Sequence, residues 1–143
     1  MIKIGNNLSE FSIYSCQPKT RRELEDIIKE RISKEGPNCD LNDIDVSLIT
    51  DMPWLFNGSI FNGNISNWDV SNVTNMTRMF SFSKFNGDIS KWNVRNVRDM
   101  YAMFYGAPFD QDISNWKIDK NCDVRDMFAK CPIKEEFKPK LPK

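Results

Sequence analysis

The chain contains no histidine, so it lacks the usual general base near neutral pH and one of the two main zinc-ligand types. It also has no net charge. Twenty basic residues balance twenty acidic ones over 143 positions, which leaves no bulk field to draw it to nucleic acid or an anionic membrane. No apolar run approaches the roughly 18 residues of a membrane span. The N-terminal MIKIGNNLSEF, Met1 to Phe11, lacks the basic-then-apolar order of a secretion signal, so the chain reads as soluble and, as given, cytoplasmic. Cys16, Cys39, Cys122 and Cys131 include no C-x-x-C pair. Without histidine a metal site would need all four thiolates, and disulfide frameworks belong to exported chains, so free thiols are expected, with no metal and no cofactor. No phosphate loop and no paired carboxylates stand outside the repeat described below, which argues against an enzyme. At 40% hydrophobic and 12% aromatic, the chain is nonetheless too apolar to stay disordered, and it is long enough for one domain.

A repeat dominates what is present. Phe61, Phe85 and Phe109 lie 24 residues apart, and so do Ile65, Ile89 and Ile113; Trp68, Trp92 and Trp116; and Met79, Met103 and Met127. Val70, Val94 and Ile118, then Phe80, Phe104 and Phe128, keep the same register. A degenerate first copy runs through Leu41, Ile44, Val46, Ile49, Met52, Leu55 and Phe56. Four copies cover about 37–60, 61–84, 85–108 and 109–132, between an N-terminal cap at 1–36 and a cap or tail at 133–143.

Within a copy, Ile89, Trp92 and Val94 follow the L-x-x-L-x-L spacing of a short strand. Val97, Met100, Met103 and Phe104 fall on one face of a short helix, with Asp51, Asn75, Asp99 and Asp123 at N-cap positions. Phe-Asn-Gly at 61–63 and 85–87 supplies the turn to the next copy. The expected fold is an α/β repeat: a short leucine-rich-repeat-like solenoid with parallel strands at about 65–70, 89–94 and 113–118 on one face and helices on the other. In the last copy Asn121 stands where Val73 and Val97 stand earlier, so a looser coil is expected there.

The copies FNGNISNWDVSNVTNMTRMF (61–80) and FNGDISKWNVRNVRDMYAMF (85–104) resemble the bacterial surface-protein repeat, a domain of unknown function in the BspA-like leucine-rich-repeat group. That resemblance spans about 37–132. It implies a right-handed solenoid and, in many members, surface display with an adhesive or recognition role, and it brings no catalytic residues with it. The missing export signal weighs against display.

The ends of such an array need cover. Thr20 and Glu23 form a capping box, Leu24, Ile27, Ile28 and Ile32 form an apolar stripe, and Gly36-Pro37 stops the helix, so a capping helix is expected at about 20–35. An imperfectly capped end could also pair two copies of the chain into a homodimer.

Several features could carry chemistry. Trp68, Trp92 and Trp116 could stack against sugars or bases, but their alternation with Val places them in the core. Asp40, Asp43 and Asp45 hint at calcium but lack the Gly and distal Glu of a calcium loop. Asn-x-Ser/Thr at Asn7, Asn57, Asn64 and Asn72 follows from a repeat rich in Asn and Ser. Trp54 aligns with Arg78, Ala102 and Asp126 at an outward position. It packs beneath the N-terminal helix, the favoured reading, or serves as an exposed anchor for a partner.

The strongest candidates for a partner surface are the exposed positions that vary between copies: Asn67, Lys91 and Asn115; Asp69, Asn93 and Lys117; and Arg95. This face runs from acidic at Asp43 and Asp45 to basic around Lys91 and Arg95, with a second patch at Arg78, Arg95, Arg98 and Arg125. The expected function is a non-catalytic protein-recognition module. The alternative is an intracellular inhibitor or adaptor, of phage or mobile-element origin, and nucleic acid is the less favoured partner.

Overall fold

A computed structural model describes residues 14–143; the reading of Met1–Phe11 and the Asn7 site lie outside them. Helix α1 (Arg21–Glu35) forms where the capping pattern puts it. The Thr20 hydroxyl accepts the Glu23 N–H at 3.1 Å, satisfying a donor that the first turn would otherwise leave unpaired. The Glu23 carboxylate accepts from the Lys19 N–H at 3.2 Å, one residue earlier than a strict capping box would have it. Gly36, at φ 91°, closes the other end by donating its N–H to the Ile32 carbonyl. Leu24 and Ile28 are buried on the first copy.

The N-terminal cap is larger than the helix. Residues 15–17 pair with 43–45 through Ser15 N–H to Asp43 O (2.8 Å) and Asp45 N–H to Cys16 O (2.9 Å). Asp43 also takes a bidentate contact from the Arg31 guanidinium at 2.9 and 3.0 Å. Burial alone would raise the Asp43 carboxyl, but hydrogen bonds from Ser15 and Arg31 outweigh it and hold it below the usual range.

The repeat makes neither the expected sheet nor the expected helices. Among the described residues no extended strand forms. Ladder pairing is confined to isolated parallel bridges, Cys16 with Ile44, Asp40 with Asn64, and Asp51–Asn75–Asp99–Asp123 in succession. Among the described residues the only helix besides α1 is a single 3-10 turn at Glu135–Phe137. The right-handed leucine-rich-repeat solenoid, with a sheet on one face and helices on the other, is therefore overturned. Each copy is built from turns.

The residues explain why. In the stretch read as a strand, Trp68 N–H turns back to Ile65 O (3.2 Å) and Val73 N–H to Val70 O (2.9 Å). Asn64 and Asp69 lock these bends, their side-chain oxygens accepting the Ser66 and Ser71 N–H groups at 3.0 Å. Asp88 and Asn93 do the same for Ser90 and Arg95, and Asp112 for Ser114. Asn and Asp side chains that satisfy the backbone two residues on favour turns over a straight ladder.

In the stretch read as a helix, Trp54, Arg78, Ala102 and Asp126 have φ between 51° and 64°, left-handed values that an α-helix cannot contain. Alternate amides therefore leave the copy altogether. Met100, Ala102, Phe104 and Gly106 donate to the carbonyls of Asp123, Arg125, Met127 and Ala129 at 2.8–3.0 Å. The amides between them, Met103, Tyr105 and Ala107, close three-residue turns onto Met100, Ala102 and Phe104. The two earlier junctions repeat this in register, from Met52–Gly58 to Asn75–Ser81 and from Met76–Phe82 to Asp99–Tyr105. In the last copy the equivalent N–H groups of Val124, Asp126, Phe128 and Lys130 make no backbone bond among the described residues.

Apolar columns fill the interior. Trp68, Trp92 and Trp116 are 3–4% exposed. Their rings stack at 6.4 Å, and each indole N–H donates to a carbonyl of the preceding copy, Leu41, Ile65 or Ile89. Phe56, Phe80, Phe104 and Phe128 form a second column at 5.5–5.7 Å, and Phe61, Phe85 and Phe109 a third at 6.1–6.2 Å. Gly63 is required by close approach, since a Cβ there would lie 1.9 Å from the Cys39 carbonyl oxygen. In the fourth copy the chain slips by one residue. Cys122, not Asn121, enters the core and bonds back to Asp119, while Asn121 stays exposed. The tail resumes the register, with Ile133 buried 24 residues after Phe109 and Ile113 donating to Phe137 O at 3.0 Å.

Two stability predictions follow from this packing. Trp92→Ala removes a buried ring and one of the two bonds to the Ile65 carbonyl, so chemical denaturation should show a loss of roughly 3–5 kcal/mol; a loss below about 1 kcal/mol contradicts a structural role for the column. Asp43, Asp88, Asp110, Asp112 and Asp123 all sit below the usual carboxylate range when folded, so the unfolded chain takes up protons first as pH falls. With no histidine to titrate, the thermal midpoint followed by circular dichroism should be flat from about pH 5 to 7 and drop below about pH 4.

Candidate recognition face

The turns gather most of the proposed partner residues on one surface. Lys91, Asn93, Arg95, Asn115 and Lys117 line a single open depression of about 330 Å³, with Ser90 at its rim and the edges of Trp92 and Trp116 behind it. Asn67 and Asp69 lie on the preceding copy, outside it. Not all of these side chains are free. Asp69 and Asn93 hold turns, and Asn115 Nδ2 donates to the Ser90 carbonyl at 3.0 Å, tying the fourth copy to the third. The Asn67 amide is itself held by the Asn42 side chain at 2.8 Å.

That leaves Lys91, Arg95 and Lys117 as the exposed cations of the set with free side chains, beside Asn67, whose bond to Asn42 is made by its backbone N–H. None of them forms an ion pair among the described residues. At the acidic end of the face, by contrast, Asp43 is taken by Arg31 and Asp45 accepts from Gln17 at 2.8 Å. The positive half is thus the half left available.

Trp54 corrects the expectation of packing beneath α1. It is 50% exposed, and the Arg78 guanidinium lies over its ring at 5.3 Å. Arg78 also covers Tyr101 at 5.2 Å and Tyr105 at 5.9 Å, and Arg125 covers Tyr101 at 5.5 Å. Stacked guanidinium and aromatic faces attract through the ring quadrupole. Phe82, 56% exposed, packs edge-on to Tyr105 at 5.3 Å. Sequence reading missed Phe82 and the two tyrosines. Their signal was present as aromatic residues at the outward positions of the second and third copies. The grouped arginines do not form a free patch, because Arg78 and Arg125 lie over rings, Arg98 pairs with Asp119 at 3.5 Å, and Arg125 pairs with Asp123 at 2.8 Å.

All four cysteines are free thiols. Burial pushes Cys122 up to about 11 and raises Cys131 as well, so neither is a ready nucleophile at neutral pH. The described residues hold no group of three or more His, Cys, Asp or Glu placed to bind a metal ion. None of their helices is long and apolar enough to cross a membrane.

No curated protein and no solved structure shows significant similarity to the chain. The family comparison also overturns the BspA-like resemblance; no leucine-rich-repeat family matches. The family that does match is described as "Mycoplasma protein of unknown function, DUF285", and its profile runs from residue 25 to residue 141, across α1, every copy of the repeat and most of the tail. The chain belongs to that family.

Proposed function

We propose that the chain is a non-catalytic recognition module that binds a protein partner through the face bearing Lys91, Arg95 and Lys117. The observation that carries this reading is the single depression shared by these cations, none of which has an ion-pair partner among the described residues. Charged side chains left without internal partners on a surface held rigid by stacked copies suit rapid, charge-guided docking. The rigidity matters because a partner then orders only itself on binding. The absence of histidine and the raised thiols support a binding role over a catalytic one.

The test is capture from lysate with the purified chain, using Lys91→Glu/Arg95→Glu as control, followed by hydrogen exchange on the captured complex. The expected result is a partner lost from the double variant, with amides 90–96 and 114–118 protected in the wild-type complex. Capture unaffected by the charge swap, or protection confined to other segments, would remove this face from the function.

A further inference from the structure

The basic depression does not stop at the fourth copy. Lys117 and Trp116 also line a second hollow of about 310 Å³, on whose walls stand Lys120, Lys140, Ile118, Leu141 and Pro142. The two hollows adjoin at Trp116 and Lys117, which line both, in a strip that runs from the third copy through the fourth to the tail.

Lys91, Arg95, Lys117, Lys120 and Lys140 are all exposed along it, and no carboxylate lines either hollow. Three nearby carboxylates are taken: Asp119 by Arg98 at 3.5 Å, Asp110 by Lys134 at 2.7 Å, and Glu135 by Lys138 at 2.5 Å. Asp88 feels the Lys91 charge but makes no ion pair with it. Five cations that form no ion pair among the described residues thus line this strip of a chain whose net charge is zero. The second hollow adds an apolar wall of Ile118, Leu141 and Pro142, all partly buried.

We propose that this groove takes a short acidic segment of a partner protein, with carboxylates on the five cations and an apolar side chain against Ile118, Leu141 and Pro142. The inference rests on the recognition reading above and names the chemistry of the partner. Three successive rungs at the usual spacing of paired chains span about 10 Å, enough for three or four extended residues, so two or three carboxylates are shared among the five cations. A long phosphate backbone suits the site less well. Beside the groove, Asp88 and Asp112 line an adjoining hollow with Ser90, Ser114 and Asn115, and Asp69 lies on the preceding copy, so a continuous polyanion would meet negative charge where a short segment would not.

The test is fluorescence polarisation with a labelled twelve-residue peptide of Asp and Glu carrying two central Leu residues, run against the full chain. The controls are the same peptide with every acid replaced by its amide and a duplex oligonucleotide. The acidic peptide should bind, weaken as salt rises, and lose roughly tenfold or more in affinity with Lys117→Glu/Lys120→Glu. Lys117→Ala/Lys120→Ala should give a smaller loss, and Leu141→Ser should weaken the Leu-bearing peptide more than an all-acid one. Both charge variants change exposed side chains, and an unchanged thermal midpoint would confirm that they fold.

Equal binding of the amide peptide, no binding of the acidic one, or tighter binding of the oligonucleotide would each overturn the proposal. If the peptide fails while a captured partner is still lost from Lys91→Glu/Arg95→Glu, recognition through the face stands and only the acidic segment is wrong. If both fail, the recognition reading falls with it.

Discussion

The structure depends on alternate amides leaving their own copy. Over 52–58, 76–82 and 100–106 every second N–H reaches across to the next copy, while the N–H groups of Leu55, Asn57, Met79, Ser81, Met103 and Tyr105 close turns locally. A helix would direct nearly all of these donors along its own axis, and a strand would point them sideways without the turns. Mixing the two lets a loop-like segment satisfy its backbone while stacking tightly, which buried loops ordinarily fail to do. The aromatic columns are a consequence of that register. Identical residues recur at one rung spacing, so Trp lies on Trp and Phe on Phe with nearly parallel rings.

The period, the buried columns and helix α1 were legible because they follow from spacing and capping, which tertiary context does not alter. Trp92 is core for the reason its alternation with Val94 suggests, and Arg21–Glu35 is helical for the reason Thr20 and Glu23 suggest. The conformation of each copy was not legible. The spacing of Ile89, Trp92 and Val94 fits two consecutive turns as well as a strand, and the deciding signal lay in the polar residues between. Asn93 read as surface variation and Asp88 drew no reading of its own, yet their side chains lock the bends. Asp99 and Asp123 read as helix caps, yet each accepts the N–H two residues on in a turn that starts no helix. A left-handed Arg78 or Ala102 carries no local signal at all, since neither residue favours that conformation. Here the inter-copy bonds override local preference.

The partner face was partly legible for a related reason. Lys91, Arg95 and Lys117 lie where variation between copies places them, and the depression brings them together. Their neighbours Asp69, Asn93 and Asn115 vary too, but within a set that can still accept or donate a structural bond. Variation therefore marked the surface without separating the side chains that hold the frame from those free to meet a partner. Trp54 was misjudged because its neighbours Met52 and Leu55 are buried, whereas its own backbone is left-handed and its indole is exposed under Arg78.

Within 52–58, 76–82 and 100–106 the cross-copy bonds run one way, with donors facing the C-terminal end and carbonyls facing the N-terminal end. At the fourth copy the amides of Val124, Asp126, Phe128 and Lys130 are left pointing outward, while at the other end the carbonyl of Pro53 is met by the Arg21 guanidinium at 3.3 Å. The stack is thus a vector with unlike poles. A twofold axis through its C-terminal pole would set donors against donors. What complements that edge is therefore oxygen, from a carbonyl, a carboxylate or water.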